Sequence, residues 1–379
     1  MLIRKRQLAV KIESVEGTAE ALTAAEAKLL VYNPKVTHDI EMFTRDPVRS
    51  TFSGMGKIAG KRPAGLSFKL ELRGSGTKTT DPAWITLLKG CGFESNVLKS
   101  IAIGAIAGGP FQHGEIITGG TSSGKGRVIF NTATGAAKVY YVIVTGTLQT
   151  GEVLTGDTSA ASATSSGAPA VEGQEYRPIS SGVSSLTLGC YEDGVLKMIK
   201  GARGNVKFGF KSGEPVMLDF TFQGVEAGIT DVALLTAIAH ETTKPPSLLS
   251  ATLLLDAYAA RIGEMNIDVN NSLAARDDIN DARGLLSFQI TNRNISGGLN
   301  PEMVTVATYD FYTKFFGSTE IVLALNAGAT TGNMFKFFAP RLQLTKVDDM
   351  DRDGMALAQC SFELNGSAAG DNEFSFVQL

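Results

Sequence analysis

Part of this sequence occurs twice, and a repeat of this size constrains the fold more than any local motif does. Residues 62–73 are similar to residues 283–293, and a Ser-Phe pair stands near the centre of each segment. Apolar residues occupy every second position, which is typical of a strand with one buried and one wet face. Residues 220–224 and 362–366 form a second matched pair that also alternates. The sequence therefore predicts two similar β-rich units in tandem.

A helix pattern follows the first matched strand in each copy. Asp81-Pro82 and Asn300-Pro301 combine an Asx cap with a first-turn proline, as helix starts do. Gly90 and Gly317 stand where a helix end favours glycine. We therefore expect one helix in each copy, and a further short helical pattern covers residues 232–238.

The spacing between matched segments shortens abruptly after Phe93, so the first copy contains a segment that the second copy lacks. We place this insertion at residues 95–176. It has a smaller repeat of its own, at residues 114–119 and 151–156. Each segment consists of Gly-Glu, then two aliphatic residues, and then Thr-Gly. The insertion is expected to be a small β module.

These patterns predict a mainly β (α+β) fold in three parts. Residues 1–94 and 177–228 form a discontinuous first domain, residues 95–176 the inserted domain, and residues 229–379 the second domain. Lys244-Pro-Pro246 blocks a helix between the two copies and indicates an extended connector.

Charge and composition exclude several kinds of protein. The formal net charge of −3 argues against a surface that grips nucleic acid tightly. No apolar run approaches the roughly 20 residues that span a bilayer, and no apolar core follows the basic N-terminus. We therefore expect a soluble protein without a signal peptide or a membrane partner. The three cysteines form no CxxC pair, which fits a reducing compartment.

Motifs that suggest chemistry are incomplete. Residues 119–125 have the spacing of a phosphate-binding loop, but Gly126 stands where Ser or Thr must hold Mg²⁺. Residues 349–354 resemble the opening of a calcium loop, but Cys360 replaces the bidentate Glu, so we interpret them as an acidic hairpin tip. The three histidines have no second ligand at metal spacing. We expect no catalytic residue, no cofactor and no metal, and we interpret the chain as a non-enzyme.

Several segments, in this order, resemble the tail tube (major tail) proteins of long-tailed bacteriophages. They are residues 9–18, 81–93, 191–206 and 244–312. The resemblance covers everything outside the insertion and implies a β-sandwich or barrel-like domain with one flanking helix. It also implies sheets that join side by side into a ring, and rings that stack into a conduit for DNA. The chain departs from the commoner pattern because it has two such tube domains in tandem.

The resemblance implies a structural virion protein of a phage with a non-contractile tail. Two tube domains per chain predict a homotrimer that closes a pseudo-hexameric ring. The implied partners are other copies of the chain, the tape measure protein, and the tail terminator and distal tail proteins. DNA would pass through during ejection without being held tightly. Synthesis and assembly would take place in the host cytoplasm.

Two alternatives remain open. The chain could be a baseplate or host-surface-binding tail protein, since small Gly/Thr-rich β modules like the insertion often decorate surfaces. It could also be a tube protein of a contractile tail or of a secretion system, which have a related fold.

The resemblance and the residue patterns together suggest two functional surfaces. Long loops of mixed character, residues 41–61 and 270–283, are expected to bridge consecutive rings. Their candidate contact residues are Phe43, Arg45, Phe52, Met55, Lys57, Arg276 and Asp277. The polar faces of the matched strands are candidates for the lumen wall, at Asp219, Thr221, Gln223, Ser361, Glu363 and Asn365. A module as large as the insertion would obstruct the channel, so we expect it to face outward.

Overall fold

Strands make up most of the chain, which confirms the prediction of a mainly β fold. The computed structural model describes residues 2, 4–132, 137–249 and 251–379. Its two α-helices, α1 (Ile85–Gly90) and α2 (Phe311–Phe316), have six residues each. A short 3-10 helix at Ala24–Glu26 precedes them.

The strands form three groups. The first copy contains β1 (Arg6–Ile12), β2 (Tyr32–His38), β3 (Met42–Phe43), β4 (Ile58–Ala59), β5 (Pro63–Glu71), β13 (Leu186–Glu192), β14 (Val195–Lys211) and β15 (Met217–Asp231). The insertion contributes β6 (Phe93–Ala102), β7 (Ile116–Gly119), β8 (Lys125–Thr132), β9 (Lys138–Thr145), β10 (Val153–Gly156), β11 (Ser162–Thr164) and β12 (Ala170–Pro178). The second copy contains β16 (Thr252–Leu255), β17 (Tyr258–Ala259), β18 (Ile262–Asp268), β19 (Asn271–Asp277), β20 (Leu285–Arg293), β21 (Ser296–Pro301), β22 (Glu320–Ala327), β23 (Phe335–Arg352), β24 (Met355–Leu364) and β25 (Ser375–Gln378).

One antiparallel sheet runs through both copies. In the first copy its order is β2-β5-β15-β14, and the first half of β14 also pairs with β13, which pairs with β1. The second half of β14, residues 207–211, pairs with residues 264–268 of β18. The order then continues as β18-β21-β24-β23-β22-β16. The two copies are therefore joined side by side at β14 and β18.

The strand arrangement of the first copy recurs in the second. β13, β14 and β15 correspond to β22, β23 and β24, while β5 corresponds to β21 and β2 to β18. A β-bulge interrupts the β13–β14 pair and another interrupts the β22–β23 pair at the corresponding place. α1 and α2 also occupy corresponding places in the chain order.

The matched segments 62–73 and 283–293 do not occupy corresponding places in the sheet. β5 pairs with β15. Among the described residues, β20 pairs only with β19, in a separate two-stranded hairpin, and β21 takes the place of β5. Both segments alternate between apolar and polar residues, so the pattern alone does not indicate which of them joins the sheet.

Both helices begin later than predicted, although α1 ends at the predicted Gly90 and the predicted Gly317 caps the end of α2. Asp81-Pro82 precedes a turn, and α1 begins at Ile85. Asn300-Pro301 ends β21, and the cap of α2 is Asp310. An Asx-Pro pair suits a turn or a strand end as well as a helix start. Residues 232–238 form no helix; they are irregular, and their apolar side chains pack against a core cluster of the first copy.

An aromatic cluster forms a core that both copies share. The ring centroid of Phe208 lies 6.3 Å from that of Phe337 and 5.6 Å from that of Phe376. Trp84, just before α1, packs 4.9 Å from Tyr176 and 6.0 Å from Phe376. The first copy, the second copy and the last strand of the insertion therefore pack around common side chains.

The insertion is a small β unit with its own core, built in the order β11-β10-β7-β8-β9-β6-β12. Its internal repeat forms a pseudo-two-fold pair, because β7 and β10 pair with each other. Glu115 accepts hydrogen bonds from the amide and hydroxyl of Ser159, and Glu152 does the same with Ser122. A Cβ on Gly119 would lie 2.4 Å from the Glu152 carboxylate, so a larger residue here would have to displace that carboxylate.

Glu172 joins the insertion to the first copy. Its carboxylate accepts hydrogen bonds from Lys78 (2.8 Å), Lys138 (3.0 Å) and Ser100 (2.8 Å). Partial desolvation raises the pKa of Glu172, but these hydrogen bonds and the charge of Lys78 outweigh it and lower the pKa to about 2.

This ion pair network should make stability depend on acid pH. A glutamate in an unfolded chain titrates near pH 4.3, so the contribution of Glu172 is fully present above that pH and is lost as the pH falls toward 2. We expect the unfolding temperature of Glu172→Gln to change less between pH 5 and pH 2 than that of the native chain. Circular dichroism melts measure this difference, and identical pH profiles would contradict it.

Candidate assembly and lumen surfaces

One face of the continuous sheet is polar across both copies. Residues that pair directly across neighbouring strands stand on the same face, and one such row crosses eight strands. It consists of Lys69, Asp219, Lys207, Asp268, Ser296, Glu363, Gln343 and Glu320. Charges of opposite sign alternate along its first four members, and Lys69 Nζ lies 3.0 Å from Asp219 Oδ2. Local pairing therefore balances part of the charge on this face.

The structure brings the candidate lumen residues of both copies together on this face. Asp219, Thr221 and Gln223 alternate with the buried side chains of β15, and Ser361 and Glu363 alternate with those of β24. Asn365 follows the end of β24, and its amide donates to Gln343 at 3.0 Å. Thr221 and Gln223 are exposed, whereas the other four residues are half-buried.

The first long loop projects from the edge of the sheet, and we call residues 39–62 the arm. β3 and β4 pair as a short stem that carries Phe43, and the tip extends over residues 44–57. Phe52 is fully exposed at the tip, and Val48 is equally exposed. The other candidate contact residues on the tip are Arg45, Met55 and Lys57.

The second long loop folds back onto the first copy, and we call residues 271–293 the docked hairpin. Asp277 forms an ion pair with Lys61 at 2.7 Å, and Arg276 forms one with Glu16 at 3.1 Å. The Arg276 side chain remains 46% exposed and that of Asp277 63%. The two loops therefore occupy corresponding places in the fold, but only the second is packed along its length in the single chain.

Several strand edges have no partner among the residues that the structure describes, and two of them correspond to the strands of the β14–β18 junction. β2 pairs only with β5, and residues 345–352 of β23 pair only with β24. Unpaired edges of this kind are templates for pairing with another chain. Sequence reasoning missed them, because alternation predicts a strand without showing which neighbours it has.

The incomplete motifs prove to be turns. In the turn at 119–125, the Glu152 carboxylate accepts hydrogen bonds from the amides of Thr121 and Ser122, which a phosphate would otherwise need. Residues 349–354 lie at the tip of the β23–β24 hairpin, with Asp353 and Gly354 at positive φ. Within the described residues, no group of three or more His, Cys, Asp or Glu side chains could hold a metal ion. The helices found in the described ranges are too short and too polar to cross a membrane.

The sequence was compared with models of known protein families. The family model described as phage tail tube protein matches residues 3–368. A search of curated proteins gave no match. The family match extends over both copies, the insertion and the shared sheet, so the chain belongs to the phage tail tube protein family.

Proposed function

We propose that this structural virion protein forms rings that stack into the tail tube of a phage with a long, non-contractile tail. In this account the tube is the conduit for DNA ejection. The observation that carries the proposal is the junction between β14 and β18, where two tube-like copies already share one sheet within a chain. Membership of the tail tube family supports assembly of the chain with itself.

Ring closure would repeat the internal junction between chains. β14 corresponds to β23 and β18 to β2, and both the second half of β23 and the outer edge of β2 are unpaired among the described residues. Pairing β23 of one chain with β2 of the next would extend the sheet and satisfy both edges. Because each chain supplies two copies, three chains would close a ring with pseudo-six-fold symmetry.

The polar sheet face would line the lumen. Each phosphate that Lys or Arg neutralises adds salt-dependent affinity for DNA, which would slow its passage. Along the row from Lys69 to Glu320 acidic side chains outnumber basic ones, so a wall of this composition would not hold DNA tightly. The insertion would face outward, where it leaves the channel open.

The long loops would connect consecutive rings. The fully exposed Phe52 and its neighbours Arg45, Met55 and Lys57 would supply most of the contact, with Phe43 at the base of the tip. We propose that Arg276 and Asp277 also contact the next ring, through the exposed parts of their side chains. The tape measure protein and the terminator and distal tail proteins would complete the tail, after synthesis and assembly in the host cytoplasm.

Electron microscopy of the purified protein tests this function. We expect rings and long tubes at high protein concentration. A small oligomer that binds glycans and never elongates would favour a baseplate or host-binding role, for which the insertion is the natural element. A tube that requires a contractile sheath or a secretion apparatus would favour the other alternative.

A further inference from the structure

The docked hairpin covers the end of α1 in the first copy. The Asn271 side-chain amide donates to the carbonyl oxygen of Cys91 at 2.8 Å, just past the last residue of this helix. A Cβ on Gly92 would lie 3.3 Å from the Ile290 side chain, so β20 passes close over the same corner. Arg203 beneath it donates to the carbonyl oxygen of Phe288. This corner is therefore closed by a hairpin that belongs to the other copy.

The corresponding corner of the second copy is open. Phe316, the last residue of α2, is 75% exposed, and Gly317 and Ser318 beyond it are exposed too. By contrast, α1 buries most of its side chains. An exposed phenylalanine beside an uncovered helix end is an apolar surface without a partner in the single chain.

The arm is the counterpart of the docked hairpin, and it is largely exposed beyond its base, where Lys61 pairs with Asp277. It connects β2 to β5 as the docked hairpin connects β18 to β21. Its stem exposes about half of Met42, Phe43 and Ile58. The arm leaves the sheet at β2, seven strands away from β23 in sheet order, so the nearest equivalent corner for it is on another chain.

We propose that the stem of the arm, at β3 and β4, packs over the end of α2 of the neighbouring copy of this chain in the same ring. The docked hairpin shows the geometry, and the β14–β18 junction shows which neighbour it reaches. This inference rests on the proposed ring and adds a lateral role for the stem. The tip has 14 residues between its stem strands, residues 44–57, against seven in the docked hairpin, residues 278–284. That extra length leaves the tip free to contact the next ring.

Crosslinking of engineered cysteines tests the lateral contact. The chain would carry Ile58→Cys and Phe316→Cys, both at exposed positions, and would be treated with a short bismaleimide. The three native cysteines are buried, so they give little background. The reaction is run on single rings, at a protein concentration below that at which tubes form. The control chain carries Val153→Cys and Phe316→Cys, because Val153 is exposed on the insertion.

We expect the Ile58 and Phe316 pair to give covalent dimers and closed trimers in single rings, and the control pair to give none. Single rings that form normally but do not crosslink would overturn the lateral docking and leave the ring itself intact. Crosslinks that appear only after rings stack would also overturn it, because the contact would then lie between rings. A chain that forms no rings at all would refute the proposed function. Measuring the size of the oligomer before crosslinking distinguishes this outcome from the loss of the lateral contact alone.

A second variant tests the same contact without a crosslinker. Phe316→Ser removes the exposed ring from the α2 corner, and we expect the protein concentration for half-maximal ring formation to rise at least about tenfold, equivalent to ~1.4 kcal/mol. Val153→Ser is the matched control and should leave that concentration unchanged. Equal ring formation by the native chain and Phe316→Ser would contradict the proposal.

Discussion

A chain that lacks residues 51–56 is expected to fold and form rings but not to elongate into tubes. The deletion removes Phe52 and Met55 from the tip of the arm, where no other part of the chain covers Phe52. It leaves the stem strands and the sheet edges unchanged, so ring closure should survive. Electron microscopy would show rings alone at concentrations at which the native chain forms long tubes.

The controls for this deletion keep the loop at its full length. Phe52→Ser with Met55→Ser should stop elongation as the deletion does, because it removes the apolar contact alone. Gly54→Ala and Gly56→Ala should form normal tubes, since an added Cβ meets no atom within 4 Å at either position. Tubes of normal length from the deletion variant would refute the stacking role of the tip.

The second large effect is expected at the base of the insertion. Arg127 of β8 donates two hydrogen bonds to Glu175 of β12, at 3.0 and 2.6 Å, and the Glu175 side chain is fully buried. Arg127→Met would leave that carboxylate with only a long hydrogen bond from Asn96, at 3.4 Å. A buried charge that loses its partner costs about 3–5 kcal/mol, and urea denaturation should show this loss in the free energy of unfolding.

A double variant separates the unpaired charge from the lost packing. Arg127→Met with Glu175→Leu removes both charges and should recover most of the lost stability, as replacement of buried ion pairs by apolar residues often does. Breaking the exposed pair of Arg261 and Glu302 should cost less than about 1 kcal/mol. An Arg127→Met chain as stable as the native one would show that Glu175 is not held by this pair.

The local patterns of the sequence predicted several of its strands. Alternation at residues 220–224 and 362–366 predicts β15 and β24, and their polar positions do share one face. The small repeat at 114–119 and 151–156 predicts a β module, and its strands pair with each other. These features depend on side chains close in sequence, which is why they can be read without a structure.

The features that decide assembly depend on distant residues. Nothing in the local pattern of residues 207–211 shows that they pair with residues 264–268, and the strand at 285–293 looks as able as β21 to join the sheet. The Asx-Pro pair at Asn300 ends a strand, because pairing with β18 outweighs the local helix signal. Residues 232–238 are likewise irregular where their apolar side chains pack against the core.

The mass of the isolated ring tests the central claim most directly. Each chain of 40.0 kDa contributes two copies of similar strand arrangement to one continuous sheet. Native mass spectrometry of single rings, supported by electron microscopy of their symmetry, should therefore give three chains and six similar wall segments. A ring of six chains, or an oligomer with no closed ring, would contradict the account.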